Sequence, residues 1–111
     1  MQVRTTQLGV AVYLAPDSSV VEESVEALDR AVKEGVGAGM FHVVLDLKNV
    51  PVVDSAGLEY LLDLSRRLRE EGGSLRVANV RSVCKDIFAI TEIDQVIPVY
   101  DDLDGAGRSF L

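Results

Sequence analysis

The sequence predicts an α/β fold, a mostly parallel sheet with helices packed against it, from three observations. Short runs rich in valine, isoleucine and leucine alternate with longer segments whose apolar residues recur every three or four positions. Each junction between them carries glycine, proline, serine or aspartate. The parallel parts of such a sheet need crossover connections, which the helical segments supply. One domain spanning residues 1–111 is expected, because 111 residues suffice for one core and not for two.

The elements follow in order. Gly9 to Ala15 (GVAVYLA) reads as a strand that stops at Pro16 and the turn-forming Asp17, Ser18 and Ser19. Val21, Val25, Leu28 and Val32 then mark an amphipathic helix, capped by Ser18 or Ser19 and acidic in its first turns. Gly35, Gly37 and Gly39 end it. These glycines follow a helix and precede a strand, the reverse of a dinucleotide-binding turn, so they read as a linker.

Phe41 to Leu47 (FHVVLDL) has the unbroken apolar character of a strand buried on both faces. Val50 to Val53 prolongs it past a proline. Leu58, Leu61, Leu62, Leu64 and Leu68 define a second helix closing at Gly72 and Gly73. Leu75 to Val80 is the next strand. A short helix around Val83 to Ile90, an edge strand at Val96 to Tyr100 and a last turn or two from Leu103 to Phe110 complete the chain. An antiparallel edge strand is expected at the N-terminus. The loops at Pro16 to Ser19 and Val53 to Gly57 should share one end of the molecule, where strands hand over to helices.

Composition narrows the function. Eleven basic against 18 acidic residues give a formal charge of -7, which disfavours nucleic acid and anionic lipid. Arg66, Arg67 and Arg69 are followed at once by Glu70 and Glu71, as on a solvated helix face. Hydrophobic residues at 48% and charged residues at 26% suit a soluble protein. No stretch approaches the roughly 18 apolar residues of a membrane span, so neither membrane insertion nor a secretion signal is expected. Cys84 is the single cysteine, consistent with a reducing cytoplasm.

Catalysis finds little support. The one histidine, His42, lies in a strand, where packing or a local hydrogen bond accounts for it. Ser55 lacks the nucleophile-elbow pattern and has no candidate base. Asp17 and Asp54 come without a third metal ligand. No catalytic residue, metal or cofactor is expected, and the chain reads as a non-enzyme. The Asp54-Ser55-Ala56-Gly57 corner stands out, although Asp54 or Ser55 can be explained by capping the second helix alone.

The run VVLDLKNVPVVDSAGLEYLL, then EEGGSLRVANV and VCKDIFAITEIDQVIPVYDDLDGA, resembles the STAS domain, named for sulfate transporters and anti-sigma factor antagonists. The likeness is continuous from Phe41 to Ala106, and its most specific element is D-S-x-G-L at Asp54 to Leu58. Free-standing chains of this size are most similar to bacterial anti-sigma factor antagonists. That resemblance implies the STAS fold and a cytoplasmic role in partner switching: the unmodified antagonist binds an anti-sigma factor that is also a serine kinase and so frees a sigma factor. The kinase phosphorylates the serine after the aspartate, here Ser55, and a serine phosphatase reverses this. Ala56 removes a neighbouring acceptor found in many relatives.

Of the Gly-Glu-hydrophobic-Asp motif usual after the second strand, Leu14-Ala15-Pro16-Asp17 keeps only Asp17. The implied partner-binding residues are Asp17, Ser18, Asp54, Ser55, Ala56 and Gly57. Two other readings stay open: a STAS subunit of a phospholipid-trafficking ABC transporter, and a scaffold of a stress-signalling complex. In the scaffold reading self-association through the sheet edge matters more than phosphorylation, and size-exclusion chromatography would separate it from a monomer or weak homodimer.

Overall fold

The computed structural model describes residues 1–37 and 39–111. Two strands open it, β1 (Val3–Leu8) and β2 (Ala11–Pro16), paired antiparallel. Gly9, with φ of 62°, leads the two-residue loop between them, where a tight hairpin requires a positive φ. Three further strands, β3 (His42–Asp46), β4 (Ser74–Ala78) and β5 (Val99–Tyr100), each add parallel to the one before. The sheet order is β1-β2-β3-β4-β5. The antiparallel N-terminal edge and the α/β class agree with the sequence reading.

Because every parallel connection steps the same way across the sheet, a common right-handed crossover puts the linking helices on one face. Helices α1 (Val25–Val36), α2 (Ser55–Glu70) and α3 (Ser82–Ile90) bury Leu28, Val32, Leu61, Leu64, Leu68, Cys84 and Phe88 there. Val12, Leu14, Val43, Leu45, Leu75 and Val77 meet them from the strands. The alternate strand residues Ala11, Val44 and Ala78 face the other way and are covered by Ala106 of a last short helix, α4 (Leu103–Arg108). Tyr13, Tyr100, Leu103 and Phe110 border that smaller cluster.

Several boundaries differ from expectation, each for a local reason. Gly9 and Val10 form the hairpin loop, and β2 runs on through Pro16, which pairs with Val3. Neither Ser18 nor Ser19 caps α1. Val20 is drawn into an isolated parallel bridge with Val53, so the chain stays extended there and the helix begins only after Ser24.

At its other end α1 continues through Gly35, where a Cβ would meet Val12 Cγ1 at 2.9 Å. That glycine serves close packing of helix on strand and does not break the helix. Ala38, inside the expected glycine linker, lies outside the described residues. Strand β4 stops at Ala78 because Asn79 turns to φ 56°. Ahead of β5, a 3-10 turn at Ile93–Gln95 buries Ile93, and Val96 N and Ile97 N donate back to Ile93 O at 2.9 and 2.8 Å, so the strand expected over Val96 to Tyr100 is reduced to Val99–Tyr100. His42 is satisfied locally, its Nδ1 2.9 Å from Ser74 Oγ and its ring edge-on to Phe110.

Candidate functional site

The corner is assembled from two strand-to-helix loops. After β3, Leu47 N donates to Ala78 O at 2.9 Å and Val50 N to Leu47 O at 3.1 Å, which turns the chain with both side chains buried. Val20 N donates to Val52 O at 3.0 Å and Asp54 N to Val20 O at 3.3 Å. The loop after β2 and the loop after β3 are thereby laced by one further rung of parallel pairing beyond the sheet proper. The two stretches expected at one end are there.

Asp54 holds this junction. Its backbone is extended, at φ -87° and ψ -176°, and it is the N-cap of α2. One carboxylate oxygen accepts from Gly57 N at 2.8 Å, and the other accepts from Glu22 N at 3.2 Å across the corner. Both roles suit a carboxylate: it satisfies an orphan N–H of the first turn and places negative charge at the positive end of a 16-residue helix. Of the two capping candidates, Asp54 is the cap.

Ser55 is then the first helical residue, exposed, with its hydroxyl outside the cap. Ala56 beside it is half-buried. Gly57 is buried, and a Cβ at this position would run into the Val20 carbonyl oxygen and lie 2.9 Å from Val53 Cγ1. The glycine of the D-S-x-G-L element is therefore demanded by the lacing of the two loops, and it works from within the joint. Asp17 lies at the same end, but its carboxylate accepts from Gln2 N at 2.8 Å. Ser18 is half-buried. Among the described residues no hydrogen bond joins Asp17 or Ser18 to the Asp54–Gly57 segment.

Three residues of the corner escaped the sequence reading. Val20 supplies the rung, Glu22 offers its N–H to Asp54, and Ser24 pins the loop by accepting from Val21 N at 3.0 Å and donating to Ser19 O at 2.7 Å. A serine directly ahead of the periodic Val25, Leu28 and Val32 is a helix-start signal, which the sequence reading gave instead to Ser18 or Ser19. Beneath the second loop, the Cys84 thiol faces Val50 O and Pro51 O at 3.8 and 3.7 Å, and burial pushes its pKa up.

Behind the corner a polar latch joins α1 to α2. Tyr60 Oη donates to Asp29 Oδ1 at 2.9 Å, Arg67 Nη2 donates to the same oxygen at 2.8 Å, and Lys33 Nζ lies 3.1 Å from Oδ2. Burial alone would raise the Asp29 carboxyl, but the bonds from Arg67, Lys33 and Tyr60 outweigh it and hold the group below its usual value. Burial first, and Asp29 second, push the Tyr60 phenol well above its ordinary range. Among the described residues no three His, Cys, Asp or Glu side chains gather as metal ligands.

A family model described as the STAS domain matches residues 2–106. The chain belongs to the STAS domain family. The match extends through β1 and β2, ahead of the Phe41 to Ala106 stretch in which the resemblance is continuous.

This STAS domain is 30% identical over 61 residues to an anti-sigma F factor antagonist of Paenibacillus polymyxa, a match covering 55% of this chain and 52% of that one. It therefore spans about half the length of that relative. It is 28% identical over 85 residues to BtrV of Bordetella bronchiseptica, provisionally named an anti-sigma factor antagonist, across 77% and 73% of the two chains. A crystal structure of another provisionally named anti-sigma factor antagonist, from Thermotoga maritima, superposes with a TM-score of 0.89 at 18% identity, covering 96% of this chain and 92% of that one. At that identity the likeness speaks for the STAS fold alone. No helix among the described residues is long and apolar enough to cross a membrane.

Proposed function

We propose that this STAS domain is an anti-sigma factor antagonist: a binding module, not an enzyme, whose Asp17–Gly57 end docks on an anti-sigma factor with serine kinase activity. Reversible phosphorylation of Ser55 controls the docking, and a serine phosphatase resets it, in the cytoplasm. The observation that carries the reading is the division between Asp54 and Ser55. Asp54 caps α2, so the exposed Ser55 is left outside the cap, with its hydroxyl open to transfer of a phosphoryl group. The names of the two curated relatives point the same way.

The physics of such a switch follows from the site. A phosphoserine carries about -1.5 to -2 charges, and the first turn of a helix tolerates it through its dipole and free N–H groups. The fold should survive modification. In an interface the same dianion must shed water beside the Asp54 carboxylate, and its bulk holds a partner off. A penalty of about 3 to 4 kcal/mol weakens binding by two to three decades, enough to exchange one partner for another.

The test is incubation with a candidate kinase and ATP, followed by mass spectrometry of the Val53 to Leu58 peptide, with binding measured for Ser55→Ala and Ser55→Glu. Ser55→Ala should bind as the unmodified protein does, and Ser55→Glu more weakly. Phosphate found on another residue, or equal binding by both variants, would overturn the switch.

A further inference from the structure

The two edges of the sheet are protected to different degrees. Strand β5 is two residues long, follows Pro98 and leads into Asp101 and Asp102, devices that discourage another strand from adding there. Strand β1 has six residues, no proline and a single charge, Arg4, and all but Val3 are exposed. Asp17 N donates to Gln2 O at 3.0 Å, and the antiparallel register pairs Arg4 with Ala15, Thr6 with Tyr13 and Leu8 with Ala11. Alternation along such a ladder turns the backbone groups of Gln2, Arg4, Thr6 and Leu8 toward β2 and those of Val3, Thr5 and Gln7 outward.

We infer that β1 is a self-association edge, pairing antiparallel with β1 of a second copy about a two-fold axis through Thr5. The outward set is symmetric about Thr5, so Val3 meets Gln7 of the second copy, Thr5 meets Thr5, and each pair exchanges two N–H···O bonds. Side-chain faces match in this register, and Arg4 stands opposite threonine, not a like charge. Charge also selects this edge for a second copy. Each copy carries -7, yet residues 1–16 contain Arg4 and no acid, so β1 brings none of its own carboxylates against a second copy. Helix α2, which carries Ser55, packs on β4, three strands in from this edge, and of the proposed docking residues only Asp17, bonded to Gln2, lies beside β1.

Thr5→Pro is a selective probe, because it deletes an outward N–H and keeps the bonds to β2, a placement edge strands accept. Sedimentation velocity from about 1 μM to about 1 mM, the span of weak association, should show the wild type moving from monomer to dimer. Thr5→Pro, with an unchanged circular dichroism spectrum, should raise the dimer dissociation constant at least about tenfold, roughly the loss of one or two net hydrogen bonds.

Disulfide capture gives a second readout. Facing Thr5→Cys residues would have Cα atoms about 5.5 Å apart, within bonding range. Two Gln7→Cys residues would be offset by roughly 13 Å. Because Cys84 is buried, each variant has one exposed thiol. Much faster crosslinking at position 5 than at 7 is expected, and it decides the matter if Thr5→Pro fails to fold. A wild type monomeric throughout, a dimer indifferent to a folded Thr5→Pro, or equal crosslinking at 5 and 7 would overturn the inference.

Discussion

Replacing Gly57 with alanine tests whether the corner is as tightly laced as its geometry implies. Two effects oppose one another. Glycine within a helix costs about 1 kcal/mol relative to alanine, so on propensity alone Gly57→Ala would stabilise α2. The new methyl, however, would point into the Val20 carbonyl oxygen, which is backbone and cannot swing aside. Either α2 retreats or the Val20 segment lifts.

A forced fit of this kind costs about 1 to 3 kcal/mol. Lifting the segment also strains the bonds Val20 N to Val52 O, Asp54 N to Val20 O and Glu22 N to Asp54, each contributing about 1 kcal/mol. We expect a net destabilisation of about 2 kcal/mol, seen as a fall of roughly 1 M in the urea midpoint with an unchanged slope. The far-ultraviolet circular dichroism of the folded state should be unaltered. A Gly57→Ala protein as stable as the wild type, or more so, would show that propensity prevails, and the account of the joint would fail.

Other expectations concern neighbouring groups. Asp54→Ala removes acceptors from both Gly57 N and Glu22 N and should lower stability by about 1 to 2 kcal/mol in urea unfolding, whereas Asp54→Asn, keeping one carbonyl oxygen, should lose less. Ser55→Ala should fall within about 0.5 kcal/mol of the wild type in the same assay, as for a surface residue outside the cap. Asp29 has a folded-state pKa below its ordinary 3.8, so its contribution is present above that value and lost as pH falls through the lower one. Asp29→Asn should be less stable at pH 7 and show a flatter decline of stability between about pH 5 and pH 2.

The sheet and its layers were legible because strands β2, β3 and β4 carry unbroken or alternating apolar runs and their glycine and proline borders are strong. The Asp54 to Leu58 corner was legible as a motif, but not its mechanics. Nothing local in the sequence says that Val20, within an apparently helical spacing, will pair with Val53, 33 positions on. That rung is a long-range choice, and it displaced the start of α1 from Ser19 to Val25. Gly35 misled for a related reason, since its role is set by Val12 of a strand far away in sequence. The position of α4 on the face opposite the other helices was equally hidden: six residues following an edge strand carry no periodicity that would say which side they cover. Asp17 lies at the end of the molecule where it was expected, yet Gln2, just ahead of an edge strand whose polar residues hide its bounds, claims its carboxylate.

The cap on α2 has a consequence for how the chain can vary. A helix start usually ties its most exposed hydroxyl to the fold, so that any change there is filtered first by whether the protein still folds. Here the carboxylate of residue 54 does the capping, and among the described residues the hydroxyl of residue 55 makes no hydrogen bond to the scaffold, so a change at residue 55 should leave the fold in place. Variation at position 55 is therefore exposed to selection for what the surface does, almost undiluted by selection for staying folded.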